Sequence, residues 1–361
     1  MKTIAKLSLI AITALLAACG GGGGGSGPAG TTTPGTGSST PTTTVTTVAP
    51  DLISAGLASY AAGTVERGAF DELMRVRTTC GFGALNQNTK LDAAEAAHQY
   101  YLAKNSADSV NTFYVGHFED PALNYFTGNA PWGRAVFQGY SYSYLDEIVD
   151  AKSYTYSSTL PPQVTMNSAQ GTQSMRDLIH TVYHLAGAAA ETREIGMGSN
   201  SQVWTAAAGT NRQAYRYGAT LANATGVTAQ KLGTGNMASY PCQGITNVRP
   251  NFIPANESPN PIPAITDTTV NVGTPIYLKV DAGQVLTVTN FTLTRLSNNT
   301  TATGATLTNG TDVNSEIKTN EMFFVPQIEL AANEQYQVTA TGTVDSTAFT
   351  KTFTFTTGAH E

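Results

Sequence analysis

The chain has 361 residues, 19 basic and 25 acidic side chains and a formal charge of −6. Charged residues are only 12% of it, about half the ~25% of an ordinary soluble domain, and no basic stripe is present to neutralise phosphates, so nothing points to a nucleic-acid binder. An apolar fraction of 41% is enough for real cores and excludes wholesale disorder, the length suggests roughly two domains of ~150 residues, and three cysteines are too few for a disulfide-framework miniprotein.

Lys2 and Lys6 precede an apolar run from Leu7 to Leu16, the length of a signal-peptide core and too short for the ~20 residues that a bilayer span needs. The run ends in Leu16-Ala17-Ala18-Cys19, which resembles the lipobox of bacterial lipoproteins. That resemblance implies cleavage after residue 18 and a diacylglyceryl group on Cys19, so that the membrane is a partner through this lipid. Gly20 after the cysteine, rather than aspartate, implies an outer-membrane destination in a Gram-negative envelope. Gly20 to Gly25 is unbroken glycine, and Thr31 to Thr47 holds ten threonines in seventeen residues. With no periodic apolar face, residues 19–50 read as a flexible tether.

From residue 51 helical periodicity dominates. Val65, Phe70, Leu73, Met74 and Arg77 recur at helical spacing over Val65 to Arg77. Asn88 or Thr89 can cap a helix starting near Leu91, with Ala94, Ala97, His98, Tyr101 and Leu102 on its stripe. Ser174 to Ala190 reads as a third helix, followed by short strand-like pieces at Glu194 to Gly198 and Gln202 to Ala206. The mixture indicates an α/β or α+β segment over residues 51–248. Pro254, Pro259, Pro261 and Pro263 mark residues 249–267 as a stiff linker that discourages helix and sheet. Over residues 268–361 the period becomes two, as in Ile276 to Val280, Tyr336 to Ala340 and Phe349 to Thr357, with turn signals at Asp281-Ala282-Gly283, Asn298-Asn299 and Asn309-Gly310. About seven short strands suggest an all-β, immunoglobulin-like sandwich, read as a spacer or adhesive surface.

Residues 51–248 resemble a bacterial CAP domain, of the superfamily of cysteine-rich secretory proteins, antigen 5 and pathogenesis-related proteins. The resemblance is carried by the order of several stretches. These are Asn86 to Leu102, Gly116-His117-Phe118-Glu119, Phe126-Thr127-Gly128, Pro131, Arg134-Ala135, Gly139-Tyr140, Glu147-Ile148, Val182-Tyr183-His184 and Ile195 to Gly198. Tyr240-Pro241-Cys242 and Glu257-Ser258-Pro259-Asn260-Pro261 are similar to the end of the bacterial subgroup. The resemblance implies a three-layer α/β/α sandwich with a cleft in which two histidines and two glutamates can hold a divalent metal. Carried over by residue, it gives His117, Glu147 and His184 as metal-binding and catalytic candidates. The second glutamate has no match. Asp177 lies upstream of His184 but is shorter and differently placed, and Leu185 stands where many bacterial relatives have arginine.

Two imidazoles and a carboxylate suit Zn²⁺ or Cu²⁺ with a coordination position left open, and such binding weakens below about pH 6 as imidazole protonates. His180 and His184 share a helical face, but Thr181 stands where a zincin needs glutamate, so that protease class is out. His180 reads as a half-buried helix residue, His98 as a core or boundary histidine and His360 as part of a frayed terminus. There is no G-x-S-x-G, P-loop or dinucleotide fingerprint. Tyr140, Tyr142, Tyr144, Tyr154 and Tyr156 read as cleft-wall packing, with stacking on a sugar as the other use.

Once Cys19 carries lipid, Cys80 and Cys242 remain, and in an oxidising compartment two remaining cysteines most simply pair. Two functions follow from the whole. One is a surface-tethered binding protein whose cleft takes a lipid, a glycan or a cell-wall fragment. The other is a metal-dependent hydrolase in which the same cleft activates water.

Overall fold

A computed structural model describes residues 47–360. The expected leader, Cys19 and nearly all of the tether lie outside the described residues. Among the described residues no helix is long and apolar enough to cross a membrane.

The chain is mixed α/β with many sheets. Its first half is built on strands β1 (Asn86–Gln87), β2 (Tyr142–Ser157), β3 (Glu194–Ala207) and β4 (Thr210–Ala224), in the spatial order β1-β3-β4-β2. β1 runs parallel to β3, and the other pairs are antiparallel. Helices α1 (Val65–Cys80), α4 (Ser168–Ile179) and α5 (Tyr183–Ala188) cover one face, and α2 (Thr89–Ser109) and α3 (Pro131–Phe137) lie on the other. β4 is buried almost throughout because both of its faces are used. Tyr215 and Tyr217 pack into the core with α1, and Ser174 of α4 meets the Tyr215 hydroxyl at 3.0 Å. Thr220 and Ala222, which alternate with them, meet Glu95 and Leu91 of α2.

Local signals explain the first two helices. Thr64 caps α1 by accepting from the Arg67 amide, and Gly81 ends it in the left-handed region. Asn88 caps α2 at the Lys90 amide. α2 sits unusually close to the sheet at Gly196 and Gly198, where a Cβ would come within 2.1 Å of Leu91 and 2.4 Å of Ala96.

Three features depart from the sequence reading. The expected helix from Ser174 to Ala190 is two, α4 and α5, broken at His180 to Val182. The two strand-like pieces after residue 194 are one strand, β3. The tyrosine-rich stretch after residue 141 is a sixteen-residue strand, β2, whose partner β4 the periodicity did not reveal.

In the second half, β9 (Leu286–Arg295), β10 (Thr300–Thr301), β13 (Gln335–Val344) and β14 (Thr347–Thr356) form one sheet in the order β10-β9-β13-β14. A second sheet has the order β11-β12-β8-β5, from β11 (Gly304–Thr308), β12 (Glu321–Pro326), β8 (Ile276–Lys279) and β5 (Ala238–Tyr240). Phe291 and Phe324 stack across the two sheets with centroids 4.6 Å apart. β5 precedes the proline-rich segment yet pairs with β8, and Phe82 beyond α1 stacks near Tyr277 at 6.0 Å. One apolar core therefore runs through both halves. Residues 249–267 are packed as well: β6 (Asn251–Phe252) pairs with β7 (Val272–Gly273), Pro254–Asn256 form a single 3₁₀ turn, and Glu257 is buried. Cys80 and Cys242 are joined as a disulfide, tying the end of α1 to the residues just after β5.

Candidate functional site

The cleft opens where β2, the edge strand of the first sheet, passes between two walls. One wall is the loop before α3, which carries His117. The other is α5, which carries His184. Glu147 projects from β2 between them, and all three line one cavity of about 390 Å³.

Glu147 is buried and both of its oxygens are engaged. Oε2 lies 2.9 Å from His117 Nδ1, and Oε1 accepts from Arg134 Nη2 at 2.5 Å. Burial alone would push this carboxyl up. The hydrogen bond from His117 and the charges of His98 and Arg134 overcome it and hold the pKa at about 2. Arg134 also donates to the His117 carbonyl at 3.0 Å, so one guanidinium fixes both the backbone and the carboxylate of the pair. Behind it, Glu119 lies 3.9 Å from Arg134 Nε and 3.0 Å from His98 Nδ1, and the other ring nitrogen of His98 faces the Gly116 carbonyl at 2.9 Å. His98 is thus a fully buried histidine, as its apolar stripe indicated, and it braces the loop that presents His117.

A second buried acid, Glu95, sits behind Glu147 and accepts from Thr220 and Gln99, each at 2.6 Å. Burial, reinforced by the charge of Glu147, pushes its pKa well above the carboxylate range. The neighbouring acids are driven apart, Glu147 held down and Glu95 pushed up.

His184 has a carboxylate partner that the sequence reading did not assign. Glu257 Oε1 stands 3.2 Å from its Nδ1. The same carboxylate accepts from the amides of Val182, Tyr183 and His184 at 2.9, 2.7 and 3.1 Å and from the Thr181 hydroxyl at 2.8 Å. It caps α5 and explains why the helix restarts there. The sequence signal was its place in the Glu257-Ser258-Pro259-Asn260-Pro261 motif of the proline-rich stretch, to which no role was given. Asp177 is engaged elsewhere, with Lys152 at 2.6 Å and Arg249 at 2.5 Å. His180 is fully buried rather than half-buried, bonded to Tyr240 and the Arg249 amide, and burial pushes it down to about 3.

Each cleft histidine therefore has its Nδ1 beside a carboxylate, which leaves the Nε2 atoms as the ring donors not held by these pairs. Among the described residues no three His, Cys, Asp or Glu side chains converge as a metal-binding group. Two imidazoles could hold a divalent ion, with Glu147 and Glu257 orienting the rings, and the ion would supply Lewis acidity.

The second half, read from sequence as a spacer, also walls the cavity, through Glu316, Lys318 and Glu321. Lys318 lies over the Tyr144 ring at 5.1 Å. Buried Lys279 joins Glu321 at 2.8 Å and Glu191 at 3.2 Å, and Tyr183 donates to Asp312 at 2.6 Å. At the rim, Phe118 and Trp132 meet edge to face at 6.3 Å, and both are more than half exposed.

No protein-family model matches the chain, and no curated protein matches it.

Proposed function

We propose that this chain is a lipid-anchored protein of the cell envelope, in the outer membrane where the host is Gram-negative, whose CAP-type cleft binds an extracytoplasmic lipid, glycan or cell-wall fragment. In this reading residues 51–248 are a three-layer α/β/α CAP sandwich, residues 268–361 are an immunoglobulin-like sandwich, and lipidated Cys19 with its tether holds both near the membrane. One observation carries it: His117, Glu147 and His184, dispersed over 67 residues, line one cavity whose rim exposes Phe118 and Trp132. Aromatic faces beside fixed polar groups are the usual means of holding a ligand with both apolar and hydroxylated surfaces. The polar floor favours a glycan or cell-wall fragment over an acyl chain.

The test uses Trp132 as reporter. The chain has two tryptophans, so Trp204→Phe leaves Trp132 alone at the cavity. Titration with muropeptides, chitotetraose and anionic vesicles is expected to change its emission saturably for one ligand class, with the response lost in His117→Ala and His184→Ala. No saturable response to any of them contradicts the binding reading.

A second reading, a divalent-metal-dependent hydrolase, is favoured by the two carboxylate-oriented imidazoles. Stoichiometric Zn²⁺ or Cu²⁺ binding, lost in either histidine variant, would support it.

A further inference from the structure

We propose that the free edge of β2 is a strand-addition site that takes an extended, basic polypeptide segment. The proposal goes beyond the binding reading by giving the same cleft a polypeptide ligand, and it rests on that cleft being a binding site.

The sheet order leaves β2 bonded on one side only. Its inner edge follows β4 from Tyr144 to Ser157, and among the described residues its outer edge pairs with no strand. An unpaired edge presents a row of N–H and C=O groups to any chain that can lie along it. The ladder has no proline in this stretch, and its one irregularity lies before Tyr144. The cleft walls are what shield the edge, and they leave a slot.

Two cavities lie end to end along that slot. The first is lined by Tyr144 to Ile148, and the second, of about 620 Å³, by Val149 to Ala151. His117, His184 and Ser258 line both, so the cavities meet between the two histidines. From residue 144 to 151 a strand rises about 24 Å. That length matches an extended ligand of about seven residues, whose alternate side chains would face the two walls.

The charges of the slot select a cation. Glu147 is balanced by Arg134, Glu321 by Lys279, and Asp177 by Lys152 and Arg249. Asp146, Asp150 and Glu316 remain, against Lys318. Asp150 stands out: its Oδ2 is buried without a hydrogen bond, and its nearest cation, Lys152, is 3.8 Å away and bonded to Asp177. An arginine or lysine of an added strand would supply the missing donor.

The probe is a library of heptapeptides, blocked at both ends, in which lysine or arginine alternates with β-branched and aromatic residues. Isothermal titration uses the detergent-solubilised full chain, with an acidic library and chitotetraose in parallel. The expected result is saturable binding of basic members. N-methylation of alternate residues in one register should weaken the best binder at least tenfold, and methylation in the other register should leave it unchanged. Asp150→Asn, shown to be folded by its melting curve, should weaken it about tenfold. Strand addition is overturned if no basic peptide binds or if N-methylation in both registers is without effect. Chitotetraose binding without peptide binding would overturn it while the binding reading stands, and failure of the peptides together with the muropeptides, chitotetraose and vesicles of the Trp132 titration would sink both.

Discussion

The carboxylate of Glu257 lies 3.2 Å from Nδ1 of His184, a residue 73 positions earlier in the chain. One buried acid therefore starts a helix, breaks the helical run before it and orients a cleft histidine. Glu257→Gln keeps the shape but removes the charge and some of the acceptor capacity. It is expected to lower stability by about 1–3 kcal/mol, the cost of weakening buried hydrogen bonds to a charged group. Urea denaturation measures the loss, and the His184 ring resonances should broaden while those of His98 do not move.

Acid should unfold the protein partly through Glu147. Its folded pKa of about 2 lies below the ordinary value of 4.5, so its contribution is fully present above about pH 4.5 and is lost as the pH falls towards 2. The depression corresponds to a contribution on the order of 3 kcal/mol. Glu147→Gln should flatten this acid limb in denaturation midpoints measured between pH 2 and 6.

Glu95 has the opposite sign. Its folded pKa is raised, so its contribution is present below about pH 4.5 and is lost as the pH rises towards the folded value. Glu95→Gln, which imitates the protonated acid, is expected to be more stable than the parent at pH 8 and to lose that advantage near pH 4. Equal stability differences at both pH values would contradict the upward shift.

The disulfide between Cys80 and Cys242 spans 162 positions. Replacing both cysteines with alanine is expected to cost about 2–5 kcal/mol, with roughly 5 as the chain-entropy ceiling. The loss should be matched in the parent by reduction, followed through the thermal midpoint.

Lys279 joins the halves at a fully buried position, against Glu321 and Glu191. Lys279→Met leaves two acids without their cation and is expected to cost about 3–5 kcal/mol. A fragment ending at Val248 should fare worse, because β5 loses β8 and Phe82 loses Tyr277. It should aggregate or bind a hydrophobic dye.

The first two helices were legible because their signals are local: Val65, Phe70 and Leu73 recur at helical spacing, and Asn88 offered a cap for the second, while the Thr64 cap of the first went unread. The break between α4 and α5 was not, because Leu178, Val182 and Leu185 continue one apolar stripe while the acid that interrupts it comes from residue 257. β4 was hidden by burial on both faces, which erases the alternation that marks a half-exposed strand. Of the cleft, His117, Glu147 and His184 were expected through resemblance, and the fold brings them to one cavity. Arg134 and Glu119 lay within the motifs but carried no role, since only the fold shows that they hold His117 and Glu147 in place.

The most direct test is histidine NMR on uniformly imidazole-labelled protein. The chain has five histidines, so each can be assigned by single substitution. Saturation with the best ligand from the Trp132 titration should shift His117 and His184 together, leaving His98, His180 and His360 in place. Saturable binding that leaves His117 and His184 unmoved would contradict the cleft as the binding site.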